Sequence, residues 1–208
     1  MFNPDSDEIA TFVIHSTRPY RPAAEMYYAA LGLIRDAEEN PSVGMYKRMG
    51  ALMFLAASIE GFGQTYGPSA FPSAWGTKGH IGDRTPPLQK LQDIGREVGI
   101  DVTAQPEWPV IKSLFDERNG MAHPKPGRKS AHVEVTCKEK DVLSESLKAS
   151  METYFPHVTH GEIQKSAQAV ESFLITIHSA LNLQGKLNPK ESGPFRYPTE
   201  MGGFSKKT

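Results

Sequence analysis

The stretch GEIQKSAQAVESFLITIHSALNL, residues 161–183, puts Ile163, Ala167, Val170, Leu174, Ile177 and Leu181 at steps of four, three, four, three and four. That rhythm keeps one side of an α-helix apolar along its whole length, and such a seam is stable only when other helices cover it. The chain is therefore expected to be an all-α bundle. Working outward, Met26, Ala30, Leu33 and Ala37 predict a helix from Ala23 to about Glu39, stopped by Asn40-Pro41. Met45, Met49, Leu52, Ala56, Ile59 and Gly63 predict a second from about Val43 to Tyr66, with Phe54, Leu55 and Phe62 widening its apolar face. After Pro86-Pro87, Leu88, Leu91, Ile94 and Val98 form a short helix ended by Gly99. Another begins at Trp108-Pro109, where proline suits a first helical position, and carries Ile111, Leu114, Phe115, Met121 and Ala122.

Between these helices the pattern weakens. Residues 67–87 are rich in Gly and Pro and hold Phe71 and Trp75, so a long loop is expected. His132 to Cys137 alternates as a strand does, which predicts at most a short hairpin or edge contact. Residues 140–160 can hold one more short helix. Residues 1–22 read as an irregular lead-in with Thr11-Phe12-Val13-Ile14 briefly extended, 23–184 as the bundle, and 185–208 as an extended or disordered tail unless Phe195, Tyr197 and Phe204 dock.

Composition narrows the function. In 208 residues, 23 Lys and Arg stand against 24 Asp and Glu, a net charge of −1. Such a chain has no global field to draw in nucleic acid or anionic lipid, so any phosphate site must be local. Cys137 is the single cysteine and cannot form an internal disulfide. No segment offers the roughly 20 apolar residues of a membrane span, and the N-terminus has no basic region followed by an apolar run. A soluble, cytoplasmic protein without membrane attachment is expected.

The chemistry concentrates in Arg118-Asn119-Gly120-Met121-Ala122-His123, stopped by Pro124. Arg118 falls on the apolar seam of its helix, where a hydrophobe would be expected. An unpaired buried charge costs several kcal/mol, so the guanidinium must be paired or line a cleft. His123 lies five residues on, about 140° round an ideal helix. A rigid helix does not aim both side chains the same way; either Gly120 and Pro124 loosen the last turn, or a second subunit completes the pair. The helix C-terminus favours protonated imidazole and the nearby guanidinium opposes it, which suits a general acid or base.

Arg118-Asn119, three residues and then His123, at the end of a bundle helix, resembles the Arg-x4-His signature of the HEPN superfamily. Ala57-Ser58-Ile59-Glu60 in the preceding long helix, the short Leu88-Gln89-Lys90-Leu91 helix and Pro109 to Leu114 agree with that helix order over roughly residues 23–183. The resemblance implies a four- or five-helix bundle, usually a homodimer, in which the Arg-His motifs of two subunits meet. It implies a metal-independent endoribonuclease without a cofactor, of the kind that serves in defence or as half of a toxin-antitoxin pair. His123 would then act on the ribose 2′-hydroxyl or the leaving oxygen, Arg118 would hold the scissile phosphate, and Asn119 would orient one of them. Lys112, Lys125, Arg128 and Lys129 would form a local basic rim for RNA or nucleotide, partly cancelled by Asp116 and Glu117.

The competing expectation is structural. Arg118 then pairs with Glu60 or Glu117, His123 only caps the helix, and the bundle is a non-catalytic module for nucleotide, RNA or a protein partner. Elsewhere, His157-Val158-Thr159-His160 lacks the second ligand pair of a metal site and reads as a loop. His178 is expected at the core edge with its hydrogen bond satisfied, Cys137 as a small packed residue, and Gly61-Phe62-Gly63 lacks the context of a phosphate loop.

Overall fold

A computed structural model describes residues 12–14, 21–40, 43–77, 81–82, 84–123, 132, 134–155, 158–187, 193–195 and 204–206. It divides into a helical unit, Arg21–Arg196, and a unit formed by Met1–Tyr20 with Tyr197–Thr208. In the latter, β1 (Phe12–Ile14) and β2 (Phe204–Lys206) form an antiparallel ribbon with Val13 opposite Ser205. The apolar triplet Phe12-Val13-Ile14 thus finds a partner 190 residues later, which local pattern cannot reveal.

The helical unit is the all-α bundle that the seam requires. Proline in the first turn opens α1 (Pro22–Glu39), α3 (Pro87–Glu97) and α4 (Trp108–Ala122), where its missing N–H costs nothing. Between them, α2 (Gly44–Ala70) packs against α1, α3, α4 and α6 (His160–Leu183); α5 (Val142–Tyr154) precedes α6. Leu52, Leu55, Ile59, Phe62 and Tyr66 of α2 are buried with all six α6 seam residues. At roughly 1.5–3 kcal/mol for each large apolar side chain, this burial is a large part of the stabilisation, beside the more extensive packing of α1 on α2.

Several expectations shift. In α1 the buried line is Ala23, Tyr27, Ala30, Ile34 and Ala37, while Met26 and Leu33 are half-buried. The small residues let α2 approach: a Cβ on Gly61 would stand 2.8 Å from the Ala23 nitrogen, and Ser58 Oγ donates to the Ala23 carbonyl at 2.8 Å. The loop begins at 71 rather than 67, because α2 continues through Pro68 to Ala70. Proline so near a helix end removes one backbone bond, and burial of Gly67 and Ala70 offsets it. His132 and residues 134–138 are not strand, and Cys137 is exposed instead of packed. No strand among the described residues pairs with this segment, so the alternation there has no face to bury.

The chain beyond 184 also belongs in part to the helical unit. Leu187 and Phe195 are buried, and the Phe195 ring lies 4.4 Å from that of Tyr27. No helix among the described residues is long and apolar enough to cross a membrane.

Candidate functional site

The end of α4 is positioned by its beginning. Ile111, Leu114 and Phe115 are buried, and the same face one turn later carries Arg118 at the rim of the bundle. There α2 presents Glu60, next to buried Ile59 on a helix that α4 touches directly. Arg118 Nη2 donates to Glu60 Oε1 at 2.8 Å, and Nη1 donates to Asn119 Oδ1 at 3.0 Å. The guanidinium on the seam is therefore paired, half-buried and held in one orientation. Two of its five N–H donors are engaged, and the others make no hydrogen bond to the described residues.

His123 is the C-cap of α4, with φ −128° and ψ 64°, and it is exposed. Its backbone N–H donates to the Asn119 carbonyl at 2.9 Å, an ordinary helical bond. Asn119 thus touches both partners, Arg118 through its side chain and His123 through its backbone. The helix continues regularly through Gly120 to Ala122, so Gly120 does not loosen the turn as the sequence allowed. Its lack of a side chain leaves open space there, and the i to i−4 bonding around it carries the helix on.

Lys112 is exposed on α4, as are Asp116 and Asn119, while Glu117 is half-buried. Lys125, Arg128 and Lys129 lie outside the described residues. From the sequence Glu60 is only one of two structural partners for Arg118; the geometry makes it the residue that fixes the guanidinium. The signal available was its place one residue after Ile59 of the α2 seam, which puts it on the rim of the same face. His160 opens α6 with Nε2 3.8 Å from Glu38 Oε1, and among the described residues no cluster of three or more His, Cys, Asp or Glu is arranged to hold a metal ion.

His178 departs from expectation. It is 6% exposed, yet its Nε2 makes no hydrogen bond; the ring meets Tyr66 edge-on at 5.1 Å. Burial, and then the charge of Arg21, lower its pKa from the ordinary value, so the fold holds it as neutral imidazole.

The chain matches no family model, no curated protein and no solved structure.

Proposed function

We propose that the chain is a HEPN-like, metal-independent endoribonuclease whose working site is completed by two copies, each supplying the end of its α4. The observation that carries this reading is a guanidinium oriented by Glu60 and Asn119, with unengaged donors, on the same helix end as an exposed imidazole. Because α4 is regular to Ala122, Arg118 and His123 of one copy diverge around the helix. A two-fold arrangement brings Arg118 of one copy toward His123 of the other.

In that site His123 accepts the proton of the ribose 2′-hydroxyl as its oxygen bonds to phosphorus. The bond from phosphorus to the 5′-oxygen then breaks, and the protonated His123 returns its proton to the leaving oxygen. The products are a 2′,3′-cyclic phosphate and a 5′-hydroxyl. Arg118 donates to the phosphoryl oxygens while charge accumulates on them, the role best filled by a donor already held in place. Asn119 keeps the guanidinium aligned, and Lys112 would meet the flanking backbone.

The test is cleavage of single-stranded RNA in EDTA by the wild type, His123→Ala and Arg118→Ala. Each variant should lose about 100-fold or more, the scale of a removed general base or charge stabiliser. Mixing the two inactive variants should restore about a quarter of the activity, the share expected if half of the dimers are mixed and each holds one intact site. Cleavage that survives both substitutions refutes the site. Failure of the folded wild type to cut any RNA leaves the second reading, a non-catalytic binding module. The neutralising contact between Arg118 and Glu60 is the observation that favours it.

A further inference from the structure

A second concave site lies on the helical unit, away from α4, between α1, α6 and the segment Gly193-Pro194-Phe195. Its volume is about 730 Å³, within the range of small-molecule sites. The returning segment is tied at three points. Arg21 Nη1 donates to the Gly193 carbonyl at 3.2 Å, Tyr28 Oη donates to the Phe195 carbonyl at 2.9 Å, and the Phe195 ring rests on Tyr27. One wall is thus fixed before any ligand arrives, which lowers the ordering cost of binding.

The chemistry of the lining points to one charge type. Among the described residues that line the cleft, Glu171 is the only formally charged side chain. Its Oε2 accepts from Tyr27 Oη at 3.1 Å, and its other oxygen makes no hydrogen bond to the described residues. The Tyr27 phenol stays a donor, since burial and then Glu171 push its pKa above the ordinary range. His178 is held neutral and adds no opposing charge. Arg21 is buried and donates to the Gly193 carbonyl, and its charge is felt at His178 of the lining, so Glu171 is the charge that the cleft itself presents. Tyr28, 48% exposed, and Ile175, 43% exposed, line the same cleft and leave apolar surface against water.

We propose that this cleft binds a small organic cation, an ammonium group on an aromatic body, with Glu171 as counter-charge and Tyr28 and Ile175 covering the body. An ammonium gains a charge-assisted hydrogen bond to the free carboxylate oxygen and an attractive ring face nearby. An anion would meet an uncompensated carboxylate.

The probe is phenethylammonium, titrated calorimetrically into the full chain, with 3-phenylpropionate as a charge-reversed control. Saturable one-to-one binding of the cation alone is expected. Glu171→Gln keeps an acceptor for Tyr27, so the variant should fold, and it should bind about tenfold or more weakly, the share of one charge-assisted contact. Ile175→Ser, on the exposed face, should weaken binding about threefold to tenfold through lost apolar cover. Absence of saturation at millimolar cation, equal binding of the anion, or unchanged affinity in Glu171→Gln would overturn the proposal. RNA cleavage does not enter any of these readouts, so the outcome is separate from that of the α4 site.

Discussion

Neutralising Glu60 asks whether Arg118 is truly held by α2. The contact measures 2.8 Å, with side-chain exposures of 28% for Arg118 and 33% for Glu60, so water reaches both groups. Two unit charges about 4 Å apart attract by roughly 1 kcal/mol in water and roughly 4 kcal/mol at an effective dielectric of 20. Desolvation and the ordering of two long side chains offset most of the larger figure, and exposed pairs measure about 0.2–1 kcal/mol in double-mutant cycles. The half-buried geometry and the second bond to Asn119 put this pair near the top of that span, at about 1 kcal/mol. The cycle uses Glu60→Gln, which keeps the shape, Arg118→Met, which keeps the stem, and the double variant. Each single change should cost about 1–1.5 kcal/mol in urea unfolding, because it strands a partly buried partner. The double should cost about 1 kcal/mol less than their sum, and the coupling should shrink in 1 M salt, where the screening length falls to about 3 Å. A coupling below about 0.3 kcal/mol, the error of ordinary additivity, would refute the reasoning. It would mean that Ile111, Leu114 and Phe115 alone hold α4 and that Arg118 is not fixed in advance.

Two further perturbations test the packing. A Cβ on Gly67 would overlap the six-membered ring of Trp75, whose centroid lies 5.4 Å from Lys90 Nζ. Gly67→Ala should therefore expel the indole, red-shifting its emission in a Trp108→Phe background. The net cost should be about 1–3 kcal/mol of overpacking, despite the roughly 1 kcal/mol by which alanine favours a helix over glycine; unchanged emission would contradict the contact. His178 has a lowered pKa in the fold and an ordinary value of 6.5. Its contribution to stability is therefore complete above pH 6.5 and is lost as pH falls through the folded value, at no more than about 1.4 kcal/mol per pH unit. The stability difference between wild type and His178→Gln, measured by urea unfolding at pH 8 and pH 5.5, should narrow at the lower pH, and a constant difference would remove His178 from the acid response.

The candidate motif was legible because its anomaly is local. A charged residue on a hydrophobic seam is visible from spacing alone, and the short list of partners followed from which acidic residues border the same core. Which partner it takes was not legible. Glu60 and Arg118 are 58 positions apart, and only the crossing of α2 and α4 brings them to 2.8 Å. The cleft of Glu171 and Phe195 was hidden for the same reason. Its wall is a proline-bearing segment with no periodicity of its own, fixed by Arg21 and Tyr28 from the other end of the unit.

By itself the sequence determined where the main helices lie and the buried seam of α6, though not the exact buried line of α1, because a 3.6-residue period and a proline at a first turn act within a few residues. It also determined that Arg118 must be compensated, because an unpaired charge on a buried seam costs more than the fold can spare. Tertiary structure alone decided that Glu60 supplies the compensation, that α2 runs on past Pro68, that Cys137 faces water, and that Phe12-Val13-Ile14 pairs with residues 204–206. Each of these rests on contacts between distant segments, whose free energy exists only once the helices have packed.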